Sequence, residues 1–296
     1  MSLTSTLRHF NRTYTQRIGV LEDSFLGTGR PLAASRVLFE VGSSGGTTVR
    51  TLRDRLGLDS GQLARLLRSL EAEGLVLTAP GDDDRRVRTV RLTAAGEAAY
   101  QDLERRSEER AAALVDPLTE RQRDRLARAL AEADLLVRAA TVSLERVEPT
   151  HPAAVEATGR YVAELDGRFP GGFAPGGPDA PEPGAVYVVA ISDGEPVAYG
   201  GVRPIDLADG VPTGEVKRMW VHGGWRGAGL GARMLRHLEQ VARELGHERV
   251  VLDTNGTLTE AIGLYERAGY TPIERYNDNP YAEAFFTKPL SRGTRP

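Results

Sequence analysis

Leu3, Leu7, Phe10, Tyr14, Ile18 and Leu21 recur every three or four residues, which predicts a helix over residues 3–25 stopped by Gly27 and Gly29. Pro31 opens a second helix through Phe39 that ends at Gly42, and the run TTVRTLRDRLGLD predicts a short third helix closed by Gly57. In SGQLARLLRSLEAEG, Leu63, Leu66, Leu67 and Leu70 fall at i, i+3, i+4 and i+7 and share one buried face, with Asp59 or Ser60 as the cap. Strand-like runs over residues 75–79 and 87–92 flank the polar loop PGDDDRR. Residues 94–115 and 119–143 then predict two long helices with Pro117 between them.

The pattern changes between Val142 and His151, framed by Pro149 and Pro152, which divides the chain into domains 1–144 and 145–296. The second half predicts a helix over 153–166, a Gly/Pro loop over 170–184, and strands over 186–192, 197–204 and 215–221. A glycine-rich turn over 223–231 leads into an amphipathic helix from Leu230, with apolar Met234, Leu235, Leu238, Val241, Ala242 and Leu245 and a stop at Gly246. A strand over 249–253, a helix over 259–268 and strands near 271–276 and 284–288 complete an α+β order.

The strand, glycine turn and helix start together make an anion site. Free N–H groups of Gly227, Ala228, Gly229, Leu230, Gly231 and Ala232 meet the positive end of the helix dipole, and Arg226 adds a charge-assisted contact. A P-loop needs GxxxxGK[ST] and a dinucleotide fingerprint needs GxGxxG; here the order is Arg-x-x-Gly-x-Gly. A turn of this kind also serves as a plain tight connection, so alone it decides nothing.

The chain has 296 residues, room for two domains, and is 40% hydrophobic and 27% charged. No apolar run approaches the roughly 20 residues that span a bilayer, and no apolar segment follows a basic N-terminal cluster. With no cysteine, disulfides and thiolate chemistry are excluded, and the five histidines form no ligand spacing, so no metal is expected. A cytoplasmic protein without a membrane partner is the expectation. All the cationic charge of the first half is arginine, balanced by acids, so nucleic-acid binding there must rest on local clustering.

Arg226–Gly231 resembles the acetyl-CoA pyrophosphate loop of the GNAT N-acetyltransferase superfamily. The downstream run NGTLTEAIGLYERAGY resembles that family's second motif. The resemblance implies a GNAT fold with a mixed central sheet and acetyl-CoA as co-substrate. Met219, Trp220 and Val221 then offer backbone groups to the pantetheine and acetyl carbonyl, the amides through Ala232 hold the pyrophosphate, and Asn255 lies near the pantetheine. Tyr265 donates a proton to the leaving thiolate, the bland alternative being a core aromatic in line with Ile262 and Ala268. Glu215 is the base, or else a plain carboxylate pairing with Lys217 or Arg218; His222 is assigned no role. The acceptor is the amine of a small molecule, amino acids included, or of a protein. Arg168, Phe169, Tyr276, Asn277 and Asn279 are its expected contacts, although Asn-Asp-Asn-Pro is also a good turn by itself.

The short helix, Gly-containing connection and second helix, followed by EGLV and DRRVRTVRLT, resemble a MarR-type winged helix-turn-helix. By that resemblance Ser60, Gln62, Arg65 and Arg68 face double-stranded DNA, while Asp84 braces the wing and Arg86 enters the minor groove. A solvated charged hairpin is the alternative. The resemblance also makes the N-terminal helix and the two long helices a homodimer interface, against an ordinary intramolecular hairpin. The combined expectation is a bifunctional regulator and acetyltransferase; the rivals are a regulator whose second half only senses acetyl-CoA or a metabolite, and an acetyltransferase whose first half is only a dimerisation scaffold.

Overall fold

The computed structural model describes residues 2–81, 86–174 and 183–290. The chain divides into two compact units, Met1–Leu126 and Ala127–Pro296.

In the first unit, α1 (Leu3–Arg17) is capped by Ser2 and is shorter than the periodicity predicts. Gly19 takes φ 75°, and the Val20 N–H closes onto the Thr15 carbonyl, so the helix ends before Leu21. None of the residues of α1 is buried. α2 (Leu32–Ser43) supplies Val37, Leu38 and Val41 to the core. A short β1 (Thr47–Thr48), unforeseen in the sequence, precedes α3 (Val49–Leu56), whose cap is the Thr48 hydroxyl and whose end is Gly57 in the left-handed region. α4 (Ser60–Ala72) is capped by Asp59, whose carboxylate accepts from the Gln62 N–H at 2.8 Å. Its Leu63, Leu67 and Leu70 are buried, with Leu66 at the edge of the same core.

β2 (Val76–Pro80) and β3 (Arg88–Leu92) pair antiparallel, and β1 joins the far side of β3. Val76 and Val90 turn inward onto α2 and α4, so the hairpin is anchored by one face only. α5 (Ala94–Val115) starts hard against the entry to β2: a Cβ on Gly96 would fall 1.8 Å from the Leu75 carbonyl oxygen. α6 (Glu120–Thr141) follows, and the division between units falls within it, ahead of residue 144.

In the second unit, Leu135, Ala139 and Val142 belong to the same core as the sheet. Its elements are β4 (Leu144–Val147), α7 (Pro152–Arg168), β5 (Val186–Ser192), β6 (Glu195–Ile205) and β7 (Thr213–Val221). α8 (Leu230–Glu244), β8 (Arg249–Thr254), α9 (Thr259–Arg267), β9 (Thr271–Pro272) and β10 (Ala284–Pro289) follow. β4 was not predicted, and β9 is only the first two residues of the strand expected over 271–276. The sheet order is β4-β5-β6-β7-β8-β10-β9, antiparallel throughout except for the β7–β8 pair, which makes it mixed.

Alternation along β5 sends Val188 and Ala190 to one face and Tyr187 and Val189 to the other. The apolar stripe of α8 covers the first face, burying Leu230, Met234, Leu235 and Leu238 completely. Each such side chain contributes about 1.5–3 kcal/mol of burial. Ala153, Ala154 and Ala157 bring α7 close against the second face. Among the described residues no helix is long and apolar enough to cross a membrane.

Candidate functional site

β7 and β8 stay in register only at Thr213↔Arg249, Gly214↔Val250 and Glu215↔Val251, and beyond Glu215 the two strands part. On its other side β7 carries one extra residue between Lys217, opposite Gly201, and Trp220, opposite Tyr199. Arg218 takes φ 54° in that bulge, a conformation that costs a non-glycine residue about 1–3 kcal/mol. The register with β6 thus steps from Lys217 to Trp220, and that with β8 ends at Glu215. Where the strands part, a cleft of about 410 Å³ opens, lined by Met219, Asp253, Asn255 and Tyr265 among others.

The glycine turn lies just past the end of β7. His222, unassigned from sequence, accepts through Nδ1 from the Gly224 N–H at 3.2 Å, and Trp225 is buried beneath. Gly227 and Gly229 take φ 81° and 84°, which Cβ-bearing residues adopt only at a cost. α8 starts with no side-chain cap, and its first backbone bond runs from the Arg233 N–H to the Gly229 carbonyl. The N–H groups from Gly227 to Ala232, those of Ala228, Leu230 and Gly231 included, thus find no acceptor among the described residues. Arg226 donates to the Val221 carbonyl at 3.1 Å and to Glu164, and the Trp220 indole N–H donates to the same Glu164 at 3.0 Å. That carboxylate, missed in the sequence, ties α7 to the end of β7 and to the turn that follows it. Burial opposes its ionisation, but the Arg226 and Trp220 hydrogen bonds win and hold it below the usual carboxylate range.

Tyr265 is a core aromatic that also lines the cleft. Its ring packs 5.9 Å from Tyr270 and 6.0 Å from Phe286, while the residue also lines the cleft. Its hydroxyl has no hydrogen-bond partner among the described residues. Burial, with Tyr161 and Asp253 adding to it, pushes its pKa up, so the phenol keeps its proton. Tyr161 of α7 also lines the cleft and is pushed up to about 12, chiefly by burial.

Glu215 is placed differently from the expectation. It is 0% exposed and is not part of the cleft lining. Arg203 donates to it at 2.5 Å, the Tyr276 hydroxyl at 3.0 Å and the Asn277 amide at 3.2 Å, with Lys217 at 3.5 Å. Enclosed by four donors and absent from the cleft lining, with Lys217 between it and Asp253, this carboxylate sits as a structural anchor rather than where a base would meet an amine. Tyr276 and Asn277 both donate to it and likewise are not part of the cleft lining.

Asp253, unassigned from sequence, is the carboxylate that lines the cleft. Burial alone would raise its pKa; the Lys217 ammonium at 2.8 Å and hydrogen bonds from Lys217, Asn279 and Asn277 bring it below the usual range. Asn255 lines the cleft with its amide spent on the Tyr281 carbonyl at 2.8 Å, and its oxygen accepts from Thr257. Phe169 and Asn279 line the cleft. Arg168 does not: its guanidinium lies between Glu164 at 3.2 Å and Glu260 at 3.0 Å, so a carboxylate-binding role there is corrected to a helix-end ion pair.

In the first unit Ser60, Gln62, Arg65 and Arg68 are exposed along one side of α4, opposite its leucine face. Arg86, at the base of the β2–β3 loop, is exposed as well; Asp84 lies outside the described residues.

The profile of the Acetyltransferase (GNAT) family matches residues 147–270, and that of the MarR family matches residues 28–86. The chain is 31% identical over 159 residues to IAA acetyltransferase of Azospirillum brasilense, covering 50% of this chain and 98% of that one. It is 34% identical over 93 residues to the uncharacterized N-acetyltransferase YjgM of Escherichia coli, covering 31% of this chain and 55% of that relative, so it spans about half of YjgM. Among solved structures, the reduced form of MarR from E. coli is similar at 23% identity, covering 45% of this chain and 96% of that one with a TM-score of 0.39.

Proposed function

Because the chain belongs to the GNAT acetyltransferase family and carries a MarR-family domain ahead of that part, we propose that it joins a DNA-binding regulator, residues 1–144, to an acetyl-CoA-dependent N-acetyltransferase, residues 145–296. The observation that carries the enzymatic half is the run of acceptorless N–H groups from Gly227 to Ala232, next to a cleft that holds the Tyr265 hydroxyl.

The donor set fits a diphosphate: consecutive amides at a helix start, while the Arg226 guanidinium is engaged by Glu164 and the Val221 carbonyl. The stretch of β7 beyond Glu215, where β8 parts from it, suits an extended amide chain laid along β7, as a further strand would lie. Bound acetyl-CoA supplies an acetyl thioester: the amine nitrogen bonds to the acetyl carbon, the carbon–sulfur bond breaks, the amine loses one proton and the sulfur gains one. Tyr265, protonated because it is buried, gives the sulfur its proton from Oη and regains one from solvent. Among the described residues the cleft lining includes no histidine or glutamate, and its Asp253 is held ionised by Lys217. The amine therefore enters neutral and sheds its proton to water.

The regulatory half rests on Ser60, Gln62, Arg65 and Arg68 along the open side of α4, with Arg86 at the hairpin. α1 exposes Leu3, Leu7, Phe10 and Tyr14 at 84%, 54%, 48% and 47%, an apolar stripe that a homodimer covers.

The test is calorimetric titration with acetyl-CoA followed by thiol release with primary amines across pH 6–9. Saturable binding, and a rate that climbs with the neutral fraction of the amine, are expected. A rate that follows a group near pH 7 in the protein contradicts the solvent route, and binding without turnover of any amine supports a pure acetyl-CoA sensor.

A further inference from the structure

We propose that the acceptor is a primary amine carried on an aromatic or bulky apolar body, and that Phe169, Phe173 and Tyr281 select it. The proposal rests on the acetyltransferase reading above and names its substrate class. Phe173 and Tyr281 lie 4.8 Å apart centre to centre, and Phe169 stands 6.0 Å from Tyr281 and 5.8 Å from Phe173. Tyr161 meets Phe173 edge-on at 6.1 Å. All four rings line the cleft that also holds the Tyr265 hydroxyl, so they form one wall of it.

The wall is held in place by hydrogen bonds. The Phe173 N–H donates to Asp166 at 2.9 Å, and the Ala174 N–H donates to the Tyr281 hydroxyl at 3.1 Å, joining the segment after α7 to the one before β10. From below, Asn255 holds the Tyr281 carbonyl at 2.8 Å, while Asn279 accepts from the Tyr281 N–H and donates to Asp253. Asp253 is thus a positioning residue for Tyr281. Rings fixed in this way meet an incoming ring without a large ordering cost.

The charged alternatives are served less well. Recognition of an amino acid through Arg168 fails because that guanidinium is off the cleft and paired with Glu164 and Glu260; of the cations that do line the cleft, Lys217 is held by Asp253 and Glu215, and Arg218 is already engaged. A polyamine wants several open carboxylates, and among the described lining residues Asp253 stands alone, already engaged by Lys217 and Asn279. Cover for an apolar body is what the wall provides. The wall makes and breaks no bond: the amine nitrogen still takes the acetyl carbon from sulfur, one proton leaving nitrogen and one reaching sulfur.

The experiment uses the full chain with acetyl-CoA, phenethylamine and tryptamine against glycine and spermidine, reading thiol release. The aromatic amines are expected to lead in kcat/KM by tenfold or more. Phe173→Ala should raise their KM about tenfold with a smaller change in kcat; Phe173→Leu, which keeps apolar bulk and removes the ring, stands in if the alanine variant does not fold. Equal or better use of glycine or spermidine, or an aromatic preference that survives both variants, overturns the proposal. Calorimetric binding of acetyl-CoA with no amine turned over overturns it while leaving the donor site intact. No binding of acetyl-CoA removes the underlying reading and the proposal together.

Discussion

Arg203 and Glu215 face each other across β6 and β7 as register partners, with the guanidinium Nε donating to the carboxylate at 2.5 Å. The pair sits beside Lys217 and beneath Tyr276 and Asn277, so one enclosed carboxylate ties two strands to the segment that precedes β10. The cleft's far wall stands on that segment.

Glu215→Ala should therefore destabilise the fold by about 3 kcal/mol, since it removes the buried anion that Arg203, Lys217, Tyr276 and Asn277 share. A urea midpoint shift at constant slope is the measurement. Glu215→Gln, which keeps most of the hydrogen bonds, should retain turnover well above the ~10²-fold loss that removing a general base brings. A loss that large at full stability would restore Glu215 as the base.

Asp253 has a pH signature. Its folded pKa lies below the ordinary aspartate value, so its stabilising contribution is complete above about pH 4 and disappears as pH falls through the lower folded value. Urea midpoints taken from pH 5 down to pH 2.5 should drop across this window, and Asp253→Asn should flatten the drop. A variant with an unaltered acid limb would show that Asp253 contributes nothing there.

Tyr265→Phe keeps the ring packed against Tyr270 and Phe286 and removes only the proton. It should lower kcat about 10²-fold with little change in acetyl-CoA affinity. Thiol-release kinetics and calorimetry on one preparation separate the two quantities; an unchanged kcat would return Tyr265 to a purely structural role.

Gly229→Ala forces a Cβ onto a residue at φ 84° and so shifts the amides proposed to hold a diphosphate. A stability loss of about 1–2 kcal/mol is expected from the backbone alone, with an acetyl-CoA dissociation constant raised at least severalfold. If affinity is kept while stability falls, the turn is only a connection.

Arg65→Ala should weaken duplex binding and, for a phosphate contact, reduce the slope of log K against log salt by about 0.9. Fluorescence anisotropy at several salt concentrations reads it. An unchanged affinity and slope would move the DNA contact away from this side of α4.

Much of this architecture is visible in one dimension. Helix α4 appears in the i, i+3, i+4, i+7 leucines with Asp59 before them, and α8 in a stripe that ends at Gly246. The anion turn is equally local, because its donors belong to consecutive residues and its shape to Gly227 and Gly229. Misjudged lengths have local causes too: Gly19 stops α1 early although apolar residues continue at helical spacing. Even the Glu164–Arg168 pair stood at i, i+4 spacing, a signal that favoured an ion pair over a free guanidinium.

By itself, then, the chain's order of residues determined two domains, their element types, the amide-rich turn and a tyrosine on the helix beyond it, all set by neighbours along the backbone. The tertiary structure alone decided that Glu215 is an anchor, that Asp253 is the carboxylate on the cleft, and that Phe169, Phe173 and Tyr281 share one wall. Those outcomes depend on strand register, on the early parting of β7 from β8, and on loops far apart in the chain arriving together. A charged side chain takes its role from whichever partners burial leaves within reach, and sequence spacing carries no record of partners brought together by folding.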